Sequence, residues 1–409
     1  MNQRPAHWHL VGPGIVVAAT GVGAGDLVAT LIAGSRYGYT LLWAAVLGCI
    51  VKIALAEATG RWHLATGRTI FAGWRTLGRW TTVYFALYVV VWGFVYGAAA
   101  MTASALPLAA LFPMLELRTW GIVCGLLGLL FVWFNRYAVF EKVMTVLVGV
   151  MFVTVVGLAL MCAPNLGAAF AGLAPAVPAG SLVYTLGLIG GVGGTITMAA
   201  YGYWVNAKGW RDASWMALMR LDNRVAYITT GVFVIAMLVM GAELLHATQI
   251  TLTSGDRGLL DLNDVLAERF GPVGATAFLL GFFATAFSSV LGVWQGVSLM
   301  FADFVAQVRG TTADPTTRGE GSPAFRAYVL WLTFPPMTLL FLDRPFALVV
   351  AYGALGAFFM PFLAVTLLWL LNSSRTPVEW RNGWASNVLL SGAATLFVVL
   401  CGRELWGLV

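Results

Sequence analysis

Charge is the scarcest property of this chain. Asp, Glu, Lys and Arg make up 10% of its 409 residues, against 60% hydrophobic residues. A soluble domain carries about 25% charge. The chain therefore lacks the polar surface to cover itself, and the solvent it faces must be largely lipid. A formal net charge of +6 does not point to nucleic acid, because the basic residues sit in short gaps between apolar runs, with no Lys/Arg-rich tract. Cysteine is scarce too. Cys49, Cys124, Cys162 and Cys401 each lie inside an apolar run, and no spacing reads as zinc or disulfide, so buried inert thiols are expected. No HExxH, GxSxG or P-loop pattern is present. Nothing reads as a cleaved leader, since the first apolar run starts near Val11, is long and continues into further spans.

What is there is a series of apolar runs. Cutting at charges and Pro/Gly clusters gives about eleven, near 12–34, 39–59, 80–106, 118–135, 140–163, 181–206, 225–247, 270–302, 326–342, 346–372 and 384–405. Each has roughly the twenty residues needed to cross a bilayer. Residues 80–115 carry no charge and have room for a span plus a short half-helix. The ninth run is short and holds Pro335 and Pro336. Alternate gaps divide the 23 Lys and Arg unevenly. One set, from Arg4 through Arg61, Lys142, Lys208, Arg318 and Arg381, holds sixteen; the other set, which includes Arg36, Arg257 and Arg403, holds six; Lys52 lies inside a span. Basic loops stay cytoplasmic. The expected topology is a multi-pass protein of the plasma (inner) membrane, with a cytoplasmic N-terminus and an extracytoplasmic C-terminus. The acidic loop 248–269, with Asp256, Asp261, Asp264 and Glu268, fits the outer face.

Two spans are interrupted. In the first, Gly21, Gly23 and Gly25 precede Asp26. Glycine weakens a helix by about 1 kcal/mol relative to alanine, and a charge at membrane depth costs a few kcal/mol or more. Irregular backbone is tolerated there only where it lines a cavity. Close helix packing would explain the glycines but not the aspartate. The sixth span repeats the pattern, with Gly187, Gly190, Gly191, Gly193 and Gly194 ahead of Thr195-Ile196-Thr197-Met198. An offset of five spans inverts one half relative to the other. That is the pattern of an inverted-repeat secondary transporter with its substrate between two broken helices. The repeats would cover about 12–163 and 181–372, with an extra helix at 384–405, all in one transmembrane domain.

Other intramembrane polar groups are few. Lys52 and Glu57, about 140° apart around the second span, are candidates for coupling or a polar pathway, with snorkelling from the span end as the plain alternative. Ser288 and Ser289 on the eighth span either bond back to their own helix or line a site. Glu243 and Asp303, near span ends, are expected to be solvated. Gly23-Ala24-Gly25-Asp26 matches the GxGD pattern of intramembrane aspartyl proteases. That chemistry needs a second carboxylate sharing the proton, and no earlier span supplies one, so the chain is not expected to be an enzyme.

Taken together, Gly12-Pro13-Gly14, residues 33–43 (AGSRYGYTLLW), Ala65-Thr66-Gly67, residues 271–296 and Met360-Pro361-Phe362 carry a resemblance to the Nramp family of metal-ion transporters. It implies an all-α fold of the leucine-transporter type, a 5+5 inverted repeat with helices 1 and 6 broken, working by alternating access. The family's signature residues are altered. Its Asp-Pro-Gly-Asn is here Gly23-Ala24-Gly25-Asp26, its Met-Pro-His is Met198-Ala199-Ala200, and its tenth-span glutamine falls on Phe359. The acidic residues of its third span have no counterpart. What the resemblance carries to the site is Thr195, through its carbonyl, and the sulfur of Met198. A branch of the family moves magnesium with an altered site.

The expected substrate site is therefore Asp26 with Gly23, Ala24, Gly25, Thr195, Met198 and Tyr201, Asp26 and Met198 being the metal-ligand candidates. A divalent ion wants more than one hard anionic ligand to shed its water. The aromatic faces of Tyr201, Tyr203 and Trp204 beside one carboxylate would also suit an organic ammonium. Two cargoes are thus carried forward, a divalent metal ion and a small organic cation; a non-transporting sensor on the same scaffold is a third reading. No cofactor is implied. The expected partners are the small substrate and the lipid bilayer, with no nucleic acid and a monomeric protein.

Overall fold

The computed structural model describes residues 12–134, 136–191, 194–246, 257–312, 317, 319–342 and 345–407, and every regular element among them is helical. The first span is two helices, α1 (Pro13–Gly21) and α2 (Ala24–Tyr37). Then follow α3 (Leu42–Thr66), the short α4 (Ile70–Arg75), α5 (Arg79–Leu111), α6 (Leu117–Phe134), α7 (Tyr137–Met161) and the short α8 (Leu166–Ala171). The sixth span is again two helices, α9 (Leu182–Gly191) and α10 (Thr197–Ala207). The chain finishes with α11 (Met216–Met240), α12 (Arg257–Arg309), α13 (Pro323–Met337), α14 (Pro345–Asn372) and α15 (Trp384–Gly407). Seven helices among the described residues are individually long and apolar enough to cross a membrane. With the two broken spans, α14 and α15, they make the eleven segments expected.

Three boundaries differ from the sequence reading. Residues 79–111 form one 33-residue helix with Pro107 inside it, not a span and a half-helix. The seventh span begins at Met216 and ends in a π-helical turn, Gly241–His246. The acidic stretch 248–269 lies outside the described residues up to 256; from Arg257 it is helical, not a loop, and it reaches a kink at Gly271-Pro272. Gly271 takes φ 74° and ψ 173°, a backbone that a residue with a β-carbon rarely adopts.

The packing follows the broken spans. α12 lies along α5 and α7, α14 against α15 and α5, and α3 against α11, α9 and α10. Trp62, Trp74, Trp92, Trp204 and Trp294 are all buried. Outward faces are apolar as well: Val83, Leu87 and Val91 on α5 and Val146, Val150 and Val153 on α7 are exposed. Helices apolar on both faces belong to a bundle that sits in lipid.

Candidate functional site

The two breaks meet. α1 ends at Gly21, and the Val22 N–H closes its last turn on Ala18 O (3.0 Å). α9 ends at Gly191, and α10 starts at Thr197. Between them Gly194 takes φ +83°, and a β-carbon on it would lie 3.0 Å from Gly21 Cα. Glycine at 194 is what lets the two interrupted backbones touch. The last carbonyls of a helix have no intrahelical partner, so each break presents oxygen atoms that need donors.

The eighth span supplies donors to the first break. Ser288 Oγ donates to Ala19 O (3.0 Å) as well as to Thr285 O in its own helix (2.8 Å). Ser289 Oγ donates to Thr20 O (2.8 Å), and Tyr96 OH reaches Ser289 O (3.0 Å) and Ser289 Oγ (2.6 Å). Ser288 therefore bonds back to its own helix and braces α1, while Ser289 braces α1. Gly23 is the close-approach residue here: a β-carbon on it would stand 2.9 Å from Ser289 Oγ.

The second span supplies a donor to the other break. Lys52 is completely buried. Its Nζ donates to Gly190 O at 2.7 Å and to Gly194 O, and it lies 3.8 Å from Met360 Sδ. Glu57 points elsewhere. Its two oxygens pair with Arg61 Nε (3.1 Å) and Arg220 Nε (3.0 Å). Arg61 continues to Trp380 O, Asn382 Oδ1 and Ser386 Oγ. Glu57 thus ties α3 to α11, and through Arg61 to the first turn of α15 and the segment before it.

Of the remaining expected residues, Met198 is completely buried in the first turn of α10. The Thr195 carbonyl accepts from the Met198 N–H (3.2 Å), and its side chain packs where Gly356 of α14 has no β-carbon. Ala24, Gly25 and Asp26 form the first turn of α2, where a carboxylate complements the helix dipole; their side chains lie outside the described residues. Tyr201 is buried, and its hydroxyl donates to Asp222 Oδ2 (2.7 Å). Tyr203 OH donates to Asp303 Oδ2 (2.8 Å), and Asp303 is buried, not solvated as expected. Glu243 accepts from Tyr39 OH (2.6 Å) and the Asn165 N–H (3.0 Å). Among the described residues no group of three or more His, Cys, Asp or Glu is gathered to hold a metal.

Asp222 is the residue that the sequence reading missed. It is completely buried on α11, where it accepts from the Gly12 N–H (2.9 Å), the Gly14 N–H (2.6 Å) and Tyr201. Pro13 has no N–H to satisfy, so Gly-Pro-Gly offers its two available donors to a single carboxylate. A β-carbon on Gly14 would lie 2.8 Å from Asp222 Cγ, which explains the second glycine. Asp222 is thus a cap lent to α1 by another span. A second network, Trp204 Nε1 to Gln295 Oε1 (2.5 Å) and Gln295 Nε2 to Glu320 Oε1 (2.7 Å), links α10 and α12 to the loop before α13. Burial raises the Glu320 carboxyl above its ordinary pKa, and the bond from Gln295 opposes that shift.

Along α5, the third span, Tyr84, Tyr88, Trp92 and Tyr96 recur every four residues. Tyr84 OH donates to Phe358 O (2.7 Å) and Tyr88 OH to Leu355 O (3.1 Å) on α14. This face of the span is aromatic and hydroxylic rather than acidic.

The arrangement has clear relatives. A divalent metal cation transporter, MntH, of Chromohalobacter salexigens is 27% identical over 326 residues, spanning 73% of this chain and 72% of that one. The solved manganese transporter of Eremococcus coleocola superposes with a TM-score of 0.79 at 15% identity, over 98% of this chain and 88% of the other. MhsT, solved with L-phenylalanine, superposes with a TM-score of 0.62 at 16% identity, over 98% of each chain. These likenesses bear out the leucinetransporter-type fold with its first and sixth helices broken. The family described as natural resistance-associated macrophage protein-like matches residues 14–407, and the chain belongs to that family, Nramp.

Proposed function

We propose that the protein is a secondary active transporter that moves a divalent metal cation by alternating access, binding it between the two breaks. The observation that carries this reading is the meeting of the broken first and sixth spans at Gly21 and Gly194 in a chain of the Nramp family. Half-helix ends and unwound carbonyls are the means by which such folds bind ions. Asp26 at the first break supplies the hard anionic ligand, and Met198 supplies a soft one. The relatives are named for metal cations, which favours metal over the organic cation. The reading is of a transporter and not an enzyme, acting as a monomer in the plasma membrane with its N-terminus cytoplasmic. It also takes the repeats as 12–163 and 181–372. With an aromatic stripe and no carboxylate on the third span, metal movement is expected to depend weakly on pH.

Calorimetric titration of the purified protein with manganese, magnesium and a panel of small amines tests the cargo. Saturable metal binding without amine binding supports the proposal; amine binding without metal binding refutes it. Met198→Ala separates the metals, because loss of the thioether weakens a soft ion and leaves magnesium unaffected.

A further inference from the structure

We propose that the carbonyls at the break of the sixth span form a cradle for a small monovalent cation, and that the Lys52 ammonium is its resident occupant. Gly190 is the next-to-last residue of α9, so its carbonyl lies beyond the reach of the helix's own N–H groups. The C-terminal end of a helix also carries partial negative charge. Gly194, turned to φ +83°, brings its carbonyl back to the same point. Lys52 Nζ donates to both oxygens, at 2.7 Å for Gly190, and the sulfur of Met360 lies 3.8 Å away on α14. Oxygen dipoles converging on one positive centre are the chemistry by which unwound transporter helices hold sodium or potassium. Here that centre is covalently tethered.

The second span is shaped for this. Gly48 lies one turn before Lys52 on the same face of α3. A β-carbon on it would lie 2.9 Å from Leu188 O and 3.2 Å from Ile189 Cα. Its absence lets α3 rest against the last turn of α9, within reach of the lysine stem. A buried ammonium at membrane depth is costly unless it is paired or bonded to carbonyls, and these carbonyls meet that need. A tethered cation is never diluted and never leaves with the cargo. The break is therefore held without a soluble co-ion, and transport in the wild type requires neither sodium nor potassium. The transport consequence rests on the proposed function; the cradle rests on geometry alone.

Heat unfolding of the detergent-solubilised protein, with no divalent metal present, tests the cradle independently of cargo. Lys52→Ala and Lys52→Met are compared with wild type in N-methylglucamine chloride, a cation too large for the cradle. Ammonium, ethylammonium, sodium or potassium chloride is then added at constant ionic strength. Both variants are expected to unfold at lower temperature. Lys52→Ala, which leaves space, is expected to regain about 3 °C or more in a saturable manner with one of the small cations. Lys52→Met, which fills the space without charge, and wild type are expected not to respond. A Lys52→Ala variant that responds no more than wild type overturns the proposal. So does a Lys52→Met variant as stable as wild type, whether or not Lys52→Ala folds.

Discussion

Replacing Asp222 by asparagine keeps the shape of the α1 cap and removes its charge. The carboxylate accepts three bonds, from the Gly12 and Gly14 N–H groups and from Tyr201. An asparagine oxygen can keep the two donors that face Oδ2, but its amide nitrogen then meets the Gly12 N–H donor to donor. A bond to a charged group is worth about 1.5–3 kcal/mol and a neutral one about 0.5–1.5. One such bond is lost and two are weakened, while relief from burying a charge offsets part of the loss. The net effect is about 2–3 kcal/mol, which favours detachment of α1 from α11 by roughly 30- to 150-fold. Hydrogen exchange resolved by peptide reads this directly. Amides of residues 15–20 should exchange faster by about that factor, while peptides from α7 and α13 keep their protection. Tyr201→Phe should raise the same rates by a smaller factor. Unchanged exchange over residues 15–20 in Asp222→Asn would refute the argument that this carboxylate holds α1.

Two further outcomes follow from the charged groups. Glu57→Gln should cost about 1 kcal/mol in thermal stability, because Arg61 keeps its bonds to Trp380, Asn382 and Ser386. It should leave any substrate-driven proton movement into vesicles unchanged, and abolition of such movement would give Glu57 the coupling role instead. The Glu320 carboxyl titrates above its ordinary value in the folded protein, so the folded state binds its proton more tightly than the unfolded chain. Its contribution to stability is full below the unfolded pKa and is lost as pH rises through the folded one. Glu320→Gln should flatten the fall in melting temperature above the ordinary carboxylate range. An identical pH profile for the variant would contradict this.

The interruptions of the first and sixth spans were legible because glycine clusters and a carboxylate inside an apolar run violate the needs of a membrane helix locally. What bonds to each break was not. Nothing near Lys52 in sequence announces that its ammonium reaches 138 residues ahead to Gly190. Asp222 was hidden by its neighbours: with Arg220 and Arg224 on either side it reads as loop, although Met219, Asn223 and Ala226 are buried on the same helix. The helix from Arg257 carried a signal that its acidity masked, since Leu259, Leu262 and Leu266 recur at helical spacing. The continuity of α5 through Pro107 was not legible, because proline is tolerated in membrane helices when neighbours satisfy the released carbonyl.

The central claim is that the two breaks together bind and move a divalent cation, with Asp26 as the anionic ligand. The most direct test is uptake of manganese into liposomes containing either wild type or Asp26→Asn, with equal amounts of folded protein confirmed by gel filtration. The variant keeps the side-chain shape and removes only the charge. The account predicts saturable uptake by the wild type and its loss in Asp26→Asn. Undiminished uptake by the variant, or none by the wild type with any divalent ion, would contradict it.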